Sequence, residues 1–127
     1  NLNKKIKFIN HCKEMPLAYS LADVVVSASI EPEAFGRVAV EAQSMAKPII
    51  ASNIGGSKET ILNKKSGFLY KFDDPRELAK SLNTVIQLSQ EELKLMGVEG
   101  RKNITKKFDV DTMCDTNLKE YKKLLKN

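Results

Sequence analysis

Four short apolar runs, at residues 6–9 (IKFI), 23–27 (DVVVS), 48–52 (PIIAS) and 68–70 (FLY), read as strands. The second is β-branched and continuous rather than alternating, the pattern of a strand covered on both faces, as in a parallel sheet. Helical periodicity fills the intervals. Residues 16–22 form a short helix. From Phe35 onward, Phe35, Val38, Ala42 and Met45 recur at helical spacing and give one apolar face. Asp74 reads as an N-cap, with Pro75 at the first helical position and Glu77 at the capping-box position. Leu78, Leu82, Val85 and Ile86 supply the buried stripe of that helix. A second cap at Ser89 opens a helix carrying Leu93, Met96, Gly100 and Ile104 on one face. A last helix from about Asp111 aligns Cys114, Leu118, Tyr121 and Leu125.

The alternation of strands and helices predicts an α/β fold: a partial, Rossmann-like open parallel sheet of about four strands with flanking helices and right-handed crossovers. The 127 residues suit one domain over 1–127. In such sheets ligands bind beyond the carboxyl ends of the strands, so the loops after Ser27 and Ser52 are the places to look for chemistry.

Composition narrows the class. An apolar fraction of 42% and a charged fraction of 29% are those of a soluble globular chain. No apolar run approaches membrane-spanning length, and the opening is too polar for a signal peptide. The chain starts Asn1-Leu2-Asn3, without Met, and reads as a piece cut from something longer. Cys12 and Cys114 form no CxxC, and only His11 stands near either one, so neither a disulfide framework nor a zinc site is expected and a reducing, cytoplasmic setting fits. The formal charge of +5 comes from lysine clusters, including one at residues 119–126. These are solvated surface or attract an anionic partner such as a phosphate ligand or an acidic membrane face. A nucleic acid is not expected, since no basic stripe is interleaved with aromatics.

The chemistry concentrates in the stretch EPEAFGRVAVEAQSMAKP, where Glu33 and Glu41 flank Phe35-Gly36. On helical geometry the two acids lie roughly 12 Å apart along the axis and within about 80° of one direction. That separation is wrong for a carboxylate pair sharing one acid–base step. Between them the first-turn amides near Gly36 and Arg37 lack intrahelical partners and offer a seat for phosphate. Gly36 permits close backbone approach. An acid, then amide donors, then an acid complements a ligand carrying hydroxyls, phosphates and hydroxyls in that order, as a nucleotide sugar does. Taken alone, the two acids also fit solvent-facing charge.

The run EPEAFGRVAVEAQSMAKPIIASNIGGSKETI resembles the donor-binding segment of retaining glycosyltransferases of the GT-B fold, family 4. The family pattern has two glutamates separated by seven residues with Phe-Gly inside, then a Gly-x-Pro turn, a strand and Gly-Gly-x-x-Glu. Its counterparts are Glu33, Phe35-Gly36, Glu41, Pro48, Gly55-Gly56 and Glu59. The flanking stretches KFINHCKEMPLAYSLADVVVSAS, SGFLYKFDDPRELAKSL and MGVEGRKNITKKFDVDTM resemble the rest of the carboxyl-terminal lobe.

The resemblance implies a donor site for a UDP- or GDP-sugar. Glu33 contacts the transferred sugar and stabilises developing positive charge, without a covalent bond. The amides around Phe35, Gly36, Arg37 and Val38 hold the diphosphate, and Glu41 holds the ribose. Gly55 and Gly56 let the next loop turn tightly, or form an ordinary tight turn; Glu59 braces that loop or is surface charge. Ser27, Ser29 and His11 read as structural or incidental. No bound metal or other cofactor is implied.

The resemblance also implies transfer to an acceptor hydroxyl in lipopolysaccharide, capsule or glycolipid synthesis; the basic surface points to the anionic inner membrane face and a lipid-linked acceptor. Two rivals are a lobe that binds a nucleotide sugar without transferring it and a nucleotide-sugar epimerase of similar architecture, against which the Phe-Gly-flanked glutamate pair argues.

Two departures stand out. Ala46 replaces the family's glycine before Lys47-Pro48, at a cost of roughly 1 kcal/mol if it is left-handed. The family's Arg/Lys pair and its amino-terminal acceptor lobe lie outside this sequence, so the chain alone is expected to transfer little or no sugar. Loss of neighbouring strands is expected to leave residues 23–27 with an open edge and residues 6–9 without their neighbour, leading to rearranged pairing or self-association.

Overall fold

A computed structural model describes residues 4–125; Asn1-Leu2-Asn3 and the end of the 119–126 lysine cluster lie outside the described residues. The chain order is α1 (Met15–Leu21), β1 (Val25–Ser27), α2 (Arg37–Ser44), β2 (Ile49–Ser52), α3 (Ser57–Thr60), β3 (Gly67–Tyr70), α4 (Pro75–Ile86), α5 (Gln90–Lys107) and α6 (Val110–Leu124).

β2 is the middle strand of a parallel sheet of order β1-β2-β3, and all four of its residues are buried. Val25 pairs with Ile49 and Ile49 with Gly67; Ser27 pairs with Ala51 and Ala51 with Leu69. Side chains alternate across the sheet. Val25, Ile49, Ala51 and Leu69 therefore pack under Tyr19 of α1 and Ala39, Ala42 and Met45 of α2. Val24, Ile50, Phe68 and Tyr70 pack under Leu78, Leu82 and Val85 of α4 and Leu93 of α5. A strand with apolar neighbours on both faces has no polar side to display, which accounts for the unbroken IIA run.

The expected first strand does not form, so the sheet has three strands among the described residues rather than about four. Residues 6–9 are irregular, with Ile6, Phe8 and Ile9 exposed by 52%, 93% and 73%. Apolar residues alone do not make a strand; its amides and carbonyls need a partner. Among the described residues β1 pairs only with β2, leaving its other side open. The remaining strands stand where predicted, one or two residues shorter at the start of β1 and β2.

Helix ends follow local chemistry. Asp74 accepts the amides of Arg76 and Glu77, with Pro75 in the first turn. Glu77 does not complete the capping box; its carboxylate lies 3.8 Å from Lys80. The full box forms at α5, where Ser89 Oγ accepts the Glu92 amide at 3.2 Å and Glu92 Oε2 accepts the Ser89 amide at 2.7 Å. Ile86, expected in the buried stripe of α4, points to solvent, because α4 meets the sheet through Leu78, Leu82 and Val85. The predicted stripe of α6 is amphipathic but is not covered by the described residues, and no α6 residue is buried.

α2 ends in a Schellman turn: the Ala46 amide donates to Gln43 O and the Lys47 amide to Ala42 O, both at 2.9 Å. Ala46 is left-handed, with φ +54°. Its carbonyl sits against α5 at Gly97, where a Cβ would stand 1.9 Å away. That glycine sets how closely α5 crosses the end of α2.

Candidate functional site

The loops after β1 and β2 both rise from the carboxyl edge of the sheet, and they touch. The Gly56 amide donates to Glu33 O at 2.9 Å. A Cβ on Gly55 would lie 2.3 Å from Glu33 O, and one on Gly56 would lie 2.4 Å from the carbonyl carbon of Phe35. Gly55 is also left-handed, at φ +52°, whereas Gly56 has an ordinary φ of −63°. Gly56 is thus needed for space alone. The pair is a seat on which the backbone of residues 33–35 rests, a closer relation than the tight turn read from sequence.

The seat is itself tied down. Thr60 Oγ1 donates to Gly56 O at 3.0 Å. Thr60 O accepts Gln43 Nε2 from α2 and Asn103 Nδ2 from α5, both at 3.0 Å. This buried amide network was not read from the sequence; the available signal was polar Gln43 and Asn103 on otherwise apolar helix faces. Glu59, predicted to brace the loop, is exposed on α3; its amide donates to Gly56 O at 3.1 Å, but its carboxylate has no hydrogen bond or ion pair among the described residues.

Glu33 is half-buried, and its Oε1 accepts Ser29 Oγ at 2.6 Å. Ser29, read as structural, therefore orients a site carboxylate from within the same loop. Phe35 does not join the apolar face of α2 as predicted. Gly36, at φ +74°, turns the chain before the helix begins at Arg37, and the face of α2 is carried instead by Ala39, Ala42 and Gln43. The Phe35 ring packs edge-on against Phe108 at the end of α5, with centroids 5.6 Å apart. It anchors the loop from outside. Because Glu33 precedes the helix, the helical rise estimated between the two acids does not apply.

Gly36 provides no side-chain cap for α2, and its carbonyl accepts the amides of Ala39 and Val40. The amides of Arg37 and Val38 stand in the uncapped first turn, at the positive end of the helix dipole.

Glu41 lies one turn further on. Its Oε2 accepts the Tyr19 hydroxyl at 2.9 Å and its Oε1 accepts Arg37 Nη2 at 3.1 Å. Burial, then the hydrogen bond to Glu41 and its negative charge, push the Tyr19 phenol up to about 12, against a smaller opposing pull from Arg37. Tyr19 was missed in the sequence, where it lies unmarked in the short helix of residues 16–22. Beside this pair a groove of about 460 Å³ opens between α1 and α2, walled by Met15, Pro16 and Met45 with Lys13 at its rim. Among the described residues no three His, Cys, Asp or Glu side chains come together in a metal-binding group, and no helix is long and apolar enough to cross a membrane.

Residues 1–103 match the family described as glycosyl transferases group 1. The chain belongs to this family. Among group 1 relatives, the capsular polysaccharide biosynthesis glycosyltransferase CapM of Staphylococcus aureus is 29% identical over 126 residues, which is 93% of this chain and 32% of CapM. A glycosyltransferase from Rickettsia africae superposes with a TM-score of 0.91 at 36% identity, covering 99% of this chain and 34% of that one. Anabaena HepE, solved in complex with UDP-glucose, gives a TM-score of 0.86 at 29% identity over 96% of this chain and 33% of that one. The fold is that of the carboxyl-terminal lobe of GT-B glycosyltransferases, and the chain spans about a third of the length of these relatives.

Proposed function

We propose that residues 1–127 are a truncated part of the nucleotide-sugar-binding lobe of a retaining glycosyltransferase. The observation that carries this reading is the uncapped start of α2 between two carboxylates, each already oriented by a hydroxyl: Glu33 by Ser29 and Glu41 by Tyr19. The amides of Arg37 and Val38 receive the diphosphate, where the helix dipole favours negative charge. Glu41 accepts the ribose hydroxyls. Glu33 accepts hydroxyls of the transferred sugar and stabilises the positive charge that develops as the glycosidic bond breaks. The sugar passes to an acceptor hydroxyl on the face from which the diphosphate leaves, with no covalent bond to Glu33 and no bound metal required. The similarity to HepE, a protein solved with UDP-glucose, supports a nucleotide sugar as donor, either a UDP- or a GDP-sugar.

Further chain supplies the earlier part of this lobe, with its Arg/Lys pair, and the acceptor lobe; these residues alone transfer little or no sugar. The similarity to CapM favours capsule, lipopolysaccharide or glycolipid synthesis, in the cytoplasm against the inner membrane face, with a lipid-linked acceptor. Separated from further chain, the lobe self-associates through the open edge of β1 and the exposed residues 6–9.

Calorimetry with UDP- and GDP-sugars tests the donor site: the chain binds one of them and Glu41→Ala weakens that binding at least tenfold. Unchanged binding by Glu41→Ala would remove the ribose assignment.

A further inference from the structure

The two oxygens of Glu41 are not equivalent. Oε2 is held by Tyr19, a ring only 6% exposed and packed into the core with Ala39, Ala42 and Ile49. Oε1 is held by Arg37, whose side chain is 85% exposed. An exposed ion pair one helical turn apart is weak and is exchanged readily. The Tyr19 phenol has no such freedom, because swinging it away from Glu41 would pull its ring out of the core. Tyr19 comes from α1, a different element from the one that carries Glu41. A contact between elements fixes the carboxylate against the sheet, not merely against its own helix.

We propose that Tyr19 is a positioning residue for the ribose, holding Oε2 of Glu41 so that Oε1 is the oxygen that changes partner, from Arg37 to a substrate hydroxyl. The inference rests on the reading of Glu41 as the ribose contact. Without the phenol the carboxylate rotates freely and follows Arg37 into solvent. With it, one oxygen is fixed and the other is turned toward Arg37 at the start of α2. The phenol remains a donor across the physiological range, since burial holds its proton to about pH 12. The released guanidinium then stands at the first residue of α2, beside the amides that face the diphosphate, so it exchanges one anionic partner for another.

The test is calorimetry on the complete polypeptide that carries this lobe, with UDP and GDP and with their 2′-deoxy and 3′-deoxy counterparts. Tyr19→Phe, which keeps the ring, is expected to weaken the ribonucleotide about 3- to 10-fold and to leave unchanged the deoxy nucleotide that lacks the contacted hydroxyl, shrinking the ratio between those two. Glu41→Ala removes that ratio, and adding Tyr19→Phe to it changes nothing further. A Tyr19→Phe protein with an undiminished ratio overturns the positioning role, as does one whose affinity for all the nucleotides falls together. A Tyr19→Phe chain that does not fold, judged by its thermal transition, assigns Tyr19 to the core and also overturns it. If the unsubstituted protein binds neither UDP nor GDP, the donor-site reading falls first and the inference with it.

Discussion

Gly56 donates its amide to the carbonyl of Glu33 at 2.9 Å while leaving no room for a side chain, since a Cβ there would stand 2.4 Å from the carbonyl carbon of Phe35. The obstacle is backbone, so no rotamer change relieves it. Gly56→Ala must push residues 33–35 away from α3, breaking the hydrogen bond and moving Glu33. Overpacking of this kind costs about 1–3 kcal/mol. Urea denaturation should show that loss, and nucleotide-sugar affinity should fall with it. Full stability in Gly56→Ala would mean that the two loops are not in contact.

Ala46 carries a strain that the sequence exposes and the backbone bears out. At φ +54° it closes the Schellman turn of α2 in a conformation that glycine adopts without penalty. Ala46→Gly relieves about 1 kcal/mol in the folded state and adds some freedom to the unfolded chain. The expected net result is a gain of up to about 1 kcal/mol, visible as a raised thermal midpoint. Ala46→Val should go the other way, because a β-branched residue is disfavoured in the left-handed region.

The parallel sheet was legible because a strand buried on both faces leaves a continuous apolar run, as at Ile49, Ile50 and Ala51; in β1 the same pattern overstated the cover, since Val26 is 41% exposed. The caps at Asp74 and Ser89 were legible because capping is local chemistry. Residues 6–9 misled because apolar composition reports what a strand would bury, not whether a pairing edge is present. Phe35 misled because the left-handed turn at Gly36 interrupts the helical count, and periodicity cannot register a break in the backbone. Ser29 and Tyr19 went unrecognised as supports of Glu33 and Glu41 for different reasons. Ser29 lies four residues from its partner, but in a loop, where spacing fixes no geometry. Tyr19 lies on another helix 22 residues away, and only tertiary packing brings it to Glu41.

α6 depends on its own local interactions more than any other long helix in the chain. It buries no residue, and its start is held by Asp109, whose Oδ1 accepts the Thr112 amide at 2.8 Å and whose Oδ2 accepts Thr112 Oγ1 at 2.7 Å. Those bonds, the amide one first, hold the Asp109 carboxyl below the usual aspartate range. A carboxyl lowered on folding stabilises above its unfolded pKa, and the contribution is lost as pH falls through the folded value. Hydrogen exchange should therefore find α6 the fastest-exchanging long helix, faster still in Asp109→Ala and in acid. Slow exchange in Asp109→Ala would mean that something other than the cap holds α6, such as a second copy packed on its apolar stripe.

Tyr19 should betray its surroundings at the opposite end of the pH scale. Of the three tyrosines, Tyr19 is pushed up to about 12, by burial first and then by the hydrogen bond to Glu41; burial also raises Tyr70. A tyrosine whose folded pKa exceeds its unfolded value of about 10 binds its proton more tightly in the folded state. The Tyr19 contribution to folding stability is then complete below about pH 10 and is lost as pH rises through the folded value. Ultraviolet titration of the phenolates should show a late phase near pH 12 that Tyr19→Phe removes. Glu41→Gln should move that phase to lower pH but not to its unperturbed position, because burial, the larger cause, remains. Ionisation of Tyr19 at its ordinary pKa in the unsubstituted chain would mean that α1 does not close over Glu41 and that the carboxylate is free.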